Sequence, residues 1–302
     1  MNAGFELFRI DLASAAASLV RDLHPGAHSY PDWLTALGTT LFFTALDPAF
    51  GRELFKTDGS FAGTVLVRDI AAGPAHSNPR HLTAHGGKLY FSADDGVTGR
   101  ELWVSDGTAG GTLPVRDIFP GLAGSSPLGL FSAGPWLYFS AYHPDSGVGL
   151  WRSDGTEAGT LLLAHLGAGD SGGLTATILD PFLTTQPAFG YFDLERFLMT
   201  QAAGAAPYAA QTEFVRADDG RVAFRGCQRS VGCQLWVTDG SAEGTVRLTD
   251  FGPAPGGASP GHLMAIGNTV YFAATDESDQ RELWKIELPL GEAVFANGFE
   301  NM

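Results

Sequence analysis

Basic residues are scarce: 18 lysines and arginines stand against 33 aspartates and glutamates, a formal net charge of -15 over 302 residues. Nucleic acids and anionic membranes are held by cationic side chains that neutralise phosphates, so this balance argues against both as partners. Long apolar runs are missing too; no stretch approaches the length needed to span a bilayer as a helix, and no membrane insertion is expected. The first residues, Met1 to Glu6, have neither the basic nor the apolar region of an export signal. Either the protein stays inside, or an export signal lies outside this reading frame. Cysteine is limited to Cys227 and Cys233, spaced too widely for half of a zinc site. No Gly-x-Ser-x-Gly elbow, His-Glu-x-x-His helix, phosphate-binding loop or dinucleotide fingerprint occurs. An enzyme drawing residues from several parts of a repeat would leave no local motif, so this lowers the case for catalysis without closing it.

What is plentiful is glycine, 40 residues, with 17 prolines and 11% aromatics. Such a composition suits many short strands joined by tight turns. A repeat organises them. Glu-Leu-aromatic recurs at Glu6-Leu7-Phe8, Glu53-Leu54-Phe55, Glu101-Leu102-Trp103 and Glu282-Leu283-Trp284, with weaker copies at Gly149-Leu150-Trp151 and Gln234-Leu235-Trp236. All steps are 47 or 48 residues except one of 85. Ten residues before five of these anchors stands a phenylalanine: Phe43, Phe91, Phe139, Phe224 or Phe272.

Each unit reads as four strands, a to d. His81-Leu82-Thr83-Ala84 typifies strand a, Leu89 to Ala93 strand b, Glu101 to Ser105 strand c and Leu113 to Ile118 strand d. Aromatic and β-branched residues fill these runs, and Gly, Pro and Asp bound them. The c–d link carries Asp-Gly at Asp58, Asp106, Asp154 and Asp239, where glycine takes positive φ and the carboxylate accepts backbone N–H bonds. A lone four-stranded meander cannot bury both faces; radial packing of such units covers them. The expected fold is therefore all-β, a β-propeller of about six four-stranded blades with a repeat of about 48 residues, five blades being the alternative. Residues 1–290 form the propeller and 291–302 a tail. The long step leaves a degenerate blade or an insertion at about 170–211.

The pattern Glu-Leu-Trp-x-x-Asp-Gly-Thr-x-x-Gly-Thr, followed by Val-Arg-Asp-Ile, resembles bacterial hyalin-like or ELW-x-x-DGT repeat proteins. The match is close at Glu53 to Ile70 and Glu101 to Ile118, recognisable at Gly149 to Thr160 and Gln234 to Thr245, and absent from about 170–211. The resemblance implies an exported or surface propeller-like protein, secreted or periplasmic, and carries over no catalytic residue.

Candidate sites are few. The strand-c aromatics have the period of inter-blade core rather than of a ligand cage. Asp58, Asp106, Asp154 and Asp239 fall on separate blades, whereas calcium needs six to eight converging oxygens, so they read as turn caps. The acidic loop with Asp276 and Asp279 suits calcium better but lacks the spacing of a calcium loop; no other cofactor is implied. His81 and His262 share one position of strand a, occupied elsewhere by Trp33 and Gly129, and would line a central channel. Strand order sends the b–c and d–a loops to one face. That face is free to vary, so the b–c residues Asp94 and Asp95 join the candidates. The reading that follows is a non-catalytic, monomeric, exported binding or scaffold propeller for a glycan or protein ligand. The alternative is a propeller hydrolase or lyase acting on glycans at the channel mouth.

Three register expectations follow. Glu6–Arg21, Glu53–Arg68 and Glu101–Arg116, each 15 residues apart, should pair as partly exposed ion pairs. Residues 5–23 should complete the blade formed by 262–288. Cys227 should oppose Cys233 across the b–c hairpin, close enough for a disulfide, which would point to an oxidising compartment.

Overall fold

The computed structural model describes residues 4–145, 147–166, 214–228, 232–250, 260–275, 281–288 and 300–301. All regular structure among them is β, arranged as antiparallel hairpins. The degenerate stretch at about 170–211 lies outside the described residues.

The chain divides into two compact units, Met1–His143 with Leu150–Leu162, and Pro144–Gly149 with Leu163–Met302. The first opens with a two-stranded hairpin, β1 (Leu7–Asp11) and β2 (Ala16–Arg21). Two four-stranded meanders follow: β3 (Asp32–Leu37), β4 (Thr40–Asp47), β5 (Gly51–Thr57) and β6 (Val65–Arg68), then β7 (Arg80–His85), β8 (Lys88–Asp94), β9 (Arg100–Ser105) and β10 (Leu113–Arg116). The next sheet runs β11 (Leu128–Ala133), β12 (Trp136–His143), β13 (Gly147–Ser153) and β14 (Leu161–His165). The second unit holds β15 (Phe214–Arg216), β16 (Val222–Gln228), β17 (Gly232–Thr238) and β18 (Val246–Arg247), and then β19 (Gly261–Ile266), β20 (Thr269–Thr275), β21 (Arg281–Glu287) and β22 (Glu300–Asn301). Five four-stranded sheets are thus described, and the architecture is propeller-like.

Hairpin register agrees with the repeat. Phe91 faces Trp103, Phe224 faces Trp236 and Phe43 faces Phe55. In the first unit successive sheets bury one another: Phe42, Leu54 and Val67 pack with Leu82, Leu89, Phe91 and Trp103. One sheet on, Tyr90, Leu102 and Val115 pack with Leu137, Phe139 and Trp151. The strand-c aromatics are therefore inter-sheet core. First strands lie side by side: Thr35 Oγ1 donates to the Leu82 carbonyl at 3.1 Å, and Thr83 Oγ1 to the Leu130 carbonyl at 3.4 Å.

The three expected ion pairs do not form. Each glutamate is buried instead. Glu101 accepts from the backbone N–H of Ile118 (3.2 Å), Phe119 (3.1 Å) and Ser125 (2.8 Å) and from Ser125 Oγ (2.5 Å). Glu53 holds Ala71 and Ser77 in the same manner, and Glu6 holds Leu23 and Ser29. The arginines leave the hairpin altogether. Arg21, Arg68 and Arg116 donate to the carbonyls of Thr64, Thr112 and Thr160 in the following sheet, at 2.6, 2.5 and 2.7 Å. A bulge beside the arginine sets it opposite the leucine of Glu-Leu-aromatic, one residue from the glutamate: Leu54 faces Arg68 and Leu102 faces Arg116. The expected pairing of 5–23 with 262–288 is also absent from the described strand pairs. β2 pairs with β1, and β22 takes the place beside β21.

Candidate functional site

The Asp-Gly turns are closed on themselves. In the second complete sheet Asp106 Oδ1 accepts from Thr108 N–H (2.8 Å) and Thr108 Oγ1 (2.7 Å), and the hydroxyls of Ser105 and Thr112 bond at 2.7 Å. Gly107 needs its φ of +88°, and a Cβ there would also meet the Phe42 ring of the preceding sheet at 3.1 Å. Gly111 is glycine because a Cβ would lie 2.1 Å from Asp106 Oδ1. Asp58, Asp154 and Asp239 repeat the arrangement. These carboxylates are structural caps, each held below the ordinary range by its own turn at Asp58, Asp106 and Asp154.

The b–c and d–a loops of a sheet do meet at one end. Leu46 N–H donates to the Ser29 carbonyl at 2.7 Å, Asp94 N–H to Ser77 at 3.0 Å and Tyr142 N–H to Ser125 at 2.8 Å. Asp94 and Asp95 serve their own loop: Asp94 Oδ1 accepts from Gly96 N–H, and Asp95 Oδ1 from Val97 and Thr98 N–H. Asp276 and Asp279 lie outside the described residues. Among the described residues no three His, Cys, Asp or Glu side chains converge as a metal site would require.

Trp33, His81, Gly129 and His262 occupy one structural position, the bulge at the start of the first strand. Register slips between Asp32 and Thr35, Arg80 and Thr83, Leu128 and Phe131, and Gly261 and Met264. The residue at the slip has φ of +53°, +57°, +62° and +57° in turn. Glycine adopts this conformation freely; a branched or bulky L residue pays roughly 1–2 kcal/mol. Strain of this kind collects where a side chain is needed for something other than stability. Because first strands are neighbours, Trp33 and His81 come together, ring centroids 4.8 Å apart. His262 stands at the same place of a sheet in the second unit.

Electrostatically His81 is the distinctive member. Burial pushes its imidazole down to about 4, aided by the guanidinium charges of Arg80 and Arg100, so it is neutral at pH 7. Arg100 is fixed by the Asn78 and Ser92 carbonyls at 2.9 and 3.1 Å. Sequence reading found the shared position but not its strained backbone; the signal was Gly129 alternating with bulky residues at one place in the repeat. The buried glutamates went unrecognised because their partners lie about 17–24 residues away in loops without periodicity.

Cys227 stands directly opposite Cys233 across β16 and β17, as the hairpin register required. The side chain of Cys227 lies outside the described residues.

No family model and no curated protein matches the chain. Solved structures do. A puromycin-hydrolysing peptidase from Mycobacterium tuberculosis has a TM-score of 0.50 and 14% identity, over 98% of this chain and 41% of its own. A puromycin hydrolase variant complexed with PGG follows, with TM-score 0.47 and 14% identity, over 85% of this chain and 36% of its own. A TolB-type structure from Agrobacterium tumefaciens has TM-score 0.40 and 12% identity, over 90% of this chain and 79% of its own. The chain thus spans less than half the length of the two hydrolases. At such identity the first of these likenesses shows the fold. It also corrects the expectation of a non-catalytic scaffold, because a protein sharing the fold over 98% of this chain is a peptidase. Absence of a local motif is not a ground for setting catalysis aside here. No helix among the described residues is long and apolar enough to cross a membrane.

Proposed function

We propose that this chain is a propeller of hydrolase type, with the bulge at the start of the first strands as its reaction site. The observation that carries the reading is His81: a half-buried neutral imidazole, its ring centroid 4.8 Å from that of Trp33 and tilted 54° to it, held in a left-handed backbone that a glycine supplies one repeat later. A neutral imidazole can take a proton from water as it attacks an amide, ester or glycosidic carbon and return it to the leaving group, and the burial and arginine charges that keep His81 neutral also make it a weak base near pH 7. Trp33 offers an apolar face for the substrate beside it. The likeness to a peptidase fold supports the same class of reaction. The substrate is a peptide or glycan, and the protein acts as a monomer. A Cys227–Cys233 disulfide, in keeping with their direct opposition, would suit an oxidising compartment and export.

The test is turnover by the full chain on panels of aminoacyl amides and arylated glycosides. Activity on one panel, falling about 100-fold or more in His81→Asn with unchanged melting temperature, is the expected result. Asparagine tolerates the left-handed backbone, so folding is preserved. No turnover on either panel, or full activity in the variant, overturns the reading.

A further inference from the structure

Strands β4 and β8 each lay an aromatic ring against the Asp-Gly turn of the next sheet. A Cβ on Gly107 would meet the Phe42 ring at 3.1 Å, and one on Gly155 would collide with the Tyr90 hydroxyl. The core cluster that holds Phe42 also contains Leu54 and Val67 of its own sheet and Leu82 and Leu89 of the next. The opening hairpin has only the counterparts of strands c and d, β1 and β2, and no strand is described on the outer side of β1. It is nevertheless seated in the register of the repeat. Arg9 donates to the Gly59 carbonyl at 3.0 Å, as Lys56 Nζ donates to that of Gly107 at 2.7 Å one repeat on.

Over Gly59, where a strand-b ring would lie, there is a cavity instead. Beyond its chain neighbours, a Cβ on Gly59 would meet only Arg9 Nη1, at 3.9 Å. The cavity has a volume of about 290 Å³, and its lining includes Leu7, Val20, Leu34, Leu41, Arg9 and Gly59. The four aliphatic residues are the repeat equivalents of Leu54, Val67, Leu82 and Leu89, so the cavity is the imprint of a Phe42-type ring. Exposure agrees with this. Leu41 is only partly buried where Leu89 and Leu137 are fully so, and Phe8 is 51% exposed where its equivalents Phe55 and Trp103 are 2% and 3%.

We infer that the opening hairpin is a docking site for an extended peptide that adds to the free edge of β1 and carries two adjacent aromatic residues. The repeat itself specifies this occupant. Phe42 stands opposite Lys56 and Phe43 opposite Phe55; Tyr90 and Phe91 face Val104 and Trp103 likewise. Carried over to β1, the first ring falls opposite Arg9 and enters the cavity, and the second falls opposite Phe8 and covers it. Successive residues of a strand point to opposite faces, so one aromatic pair fills both places. Backbone bonds along the open edge hold such a peptide, and the pockets for its side chains select it. The inference goes beyond the hydrolase reading and does not rest on it.

The probe is a fluorescently labelled heptapeptide with the sequence of β8, Lys88–Asp94, titrated into the full chain and followed by anisotropy. It should bind and slow amide hydrogen exchange over β1. Tyr90→Ser in the peptide should weaken binding about tenfold or more. Thr39→Trp in the protein, at an exposed turn residue of the cavity lining, should block binding with the melting temperature unchanged. Phe8→Ala is the second variant; it leaves the cavity open to the first ring and should lower affinity about tenfold through loss of the other contact. Absence of binding, indifference to either Tyr90→Ser or Thr39→Trp, or unchanged exchange over β1 overturns the site. Dimerisation of the full chain that fills the edge from a second copy overturns it as well.

Discussion

Arg68 donates to the carbonyl oxygen of Thr112, 44 residues further along the chain, at 2.5 Å. The same guanidinium lies 5.8 Å from the centre of the Trp103 ring. One side chain thus fastens the outer strand of one sheet to the Asp-Gly turn and the core aromatic of the next. Arg116 does the same to Thr160 and Trp151.

Arg68→Ala should therefore cost about 1.5–3 kcal/mol, the worth of a charge-assisted bond with its ring contact. Had the arginine been one half of a surface pair with Glu53, the cost would be about 0–1 kcal/mol. Urea unfolding decides between these ranges, and Arg68→Lys should recover only part of the loss because an ammonium lacks the planar fork.

Glu101 governs a pH effect. Burial pushes its carboxyl up to about 7 from the ordinary 4.5, against the pull of four donors; Glu53 behaves alike. A native pKa raised above the unfolded one means the folded state binds the proton more tightly. The stabilisation is then whole below about 4.5 and drains away as pH rises through 7. Thermal melts across pH 4.5–8 should show this slope, and Glu101→Gln should remove about half of it, the Glu53 share remaining. The same substitution should cost about 1–3 kcal/mol near neutrality, since an amide NH2 would face backbone donors.

Gly111→Ala should destabilise by about 1–3 kcal/mol through overpacking, because the new Cβ has the Asp106 carboxylate 2.1 Å away. The cost should shrink in an Asp106→Ala background, where the obstruction is gone. Additive costs in a double-mutant cycle would show that the two residues do not collide.

The proposed Cys227–Cys233 bridge closes a short loop, so its loss should lower stability by only about 2 kcal/mol or less. Thiol titration of denatured, unreduced protein from an oxidising compartment should find no free thiol. Two free thiols would remove the bridge and its support for export.

Short-range matters were settled by the sequence itself. Strand order, the Asp-Gly turns, the opposition of Phe91 to Trp103 and of Cys227 to Cys233 all follow from alternation and turn chemistry within one hairpin. Partners less than about 15 residues apart are dictated by a register that composition reveals. Only the tertiary structure decided where Glu101 and Arg116 turn. They are one residue out of step across their hairpin, and a bulge plus the next sheet's carbonyl outcompete the obvious ion pair. It likewise decided that Trp33, His81 and Gly129 share a left-handed bulge and stand in a row, since neighbouring first strands are about 48 residues apart and no local periodicity joins them. A repeat prescribes each blade; contacts between blades depend on packing, and it is there that the candidate site was made.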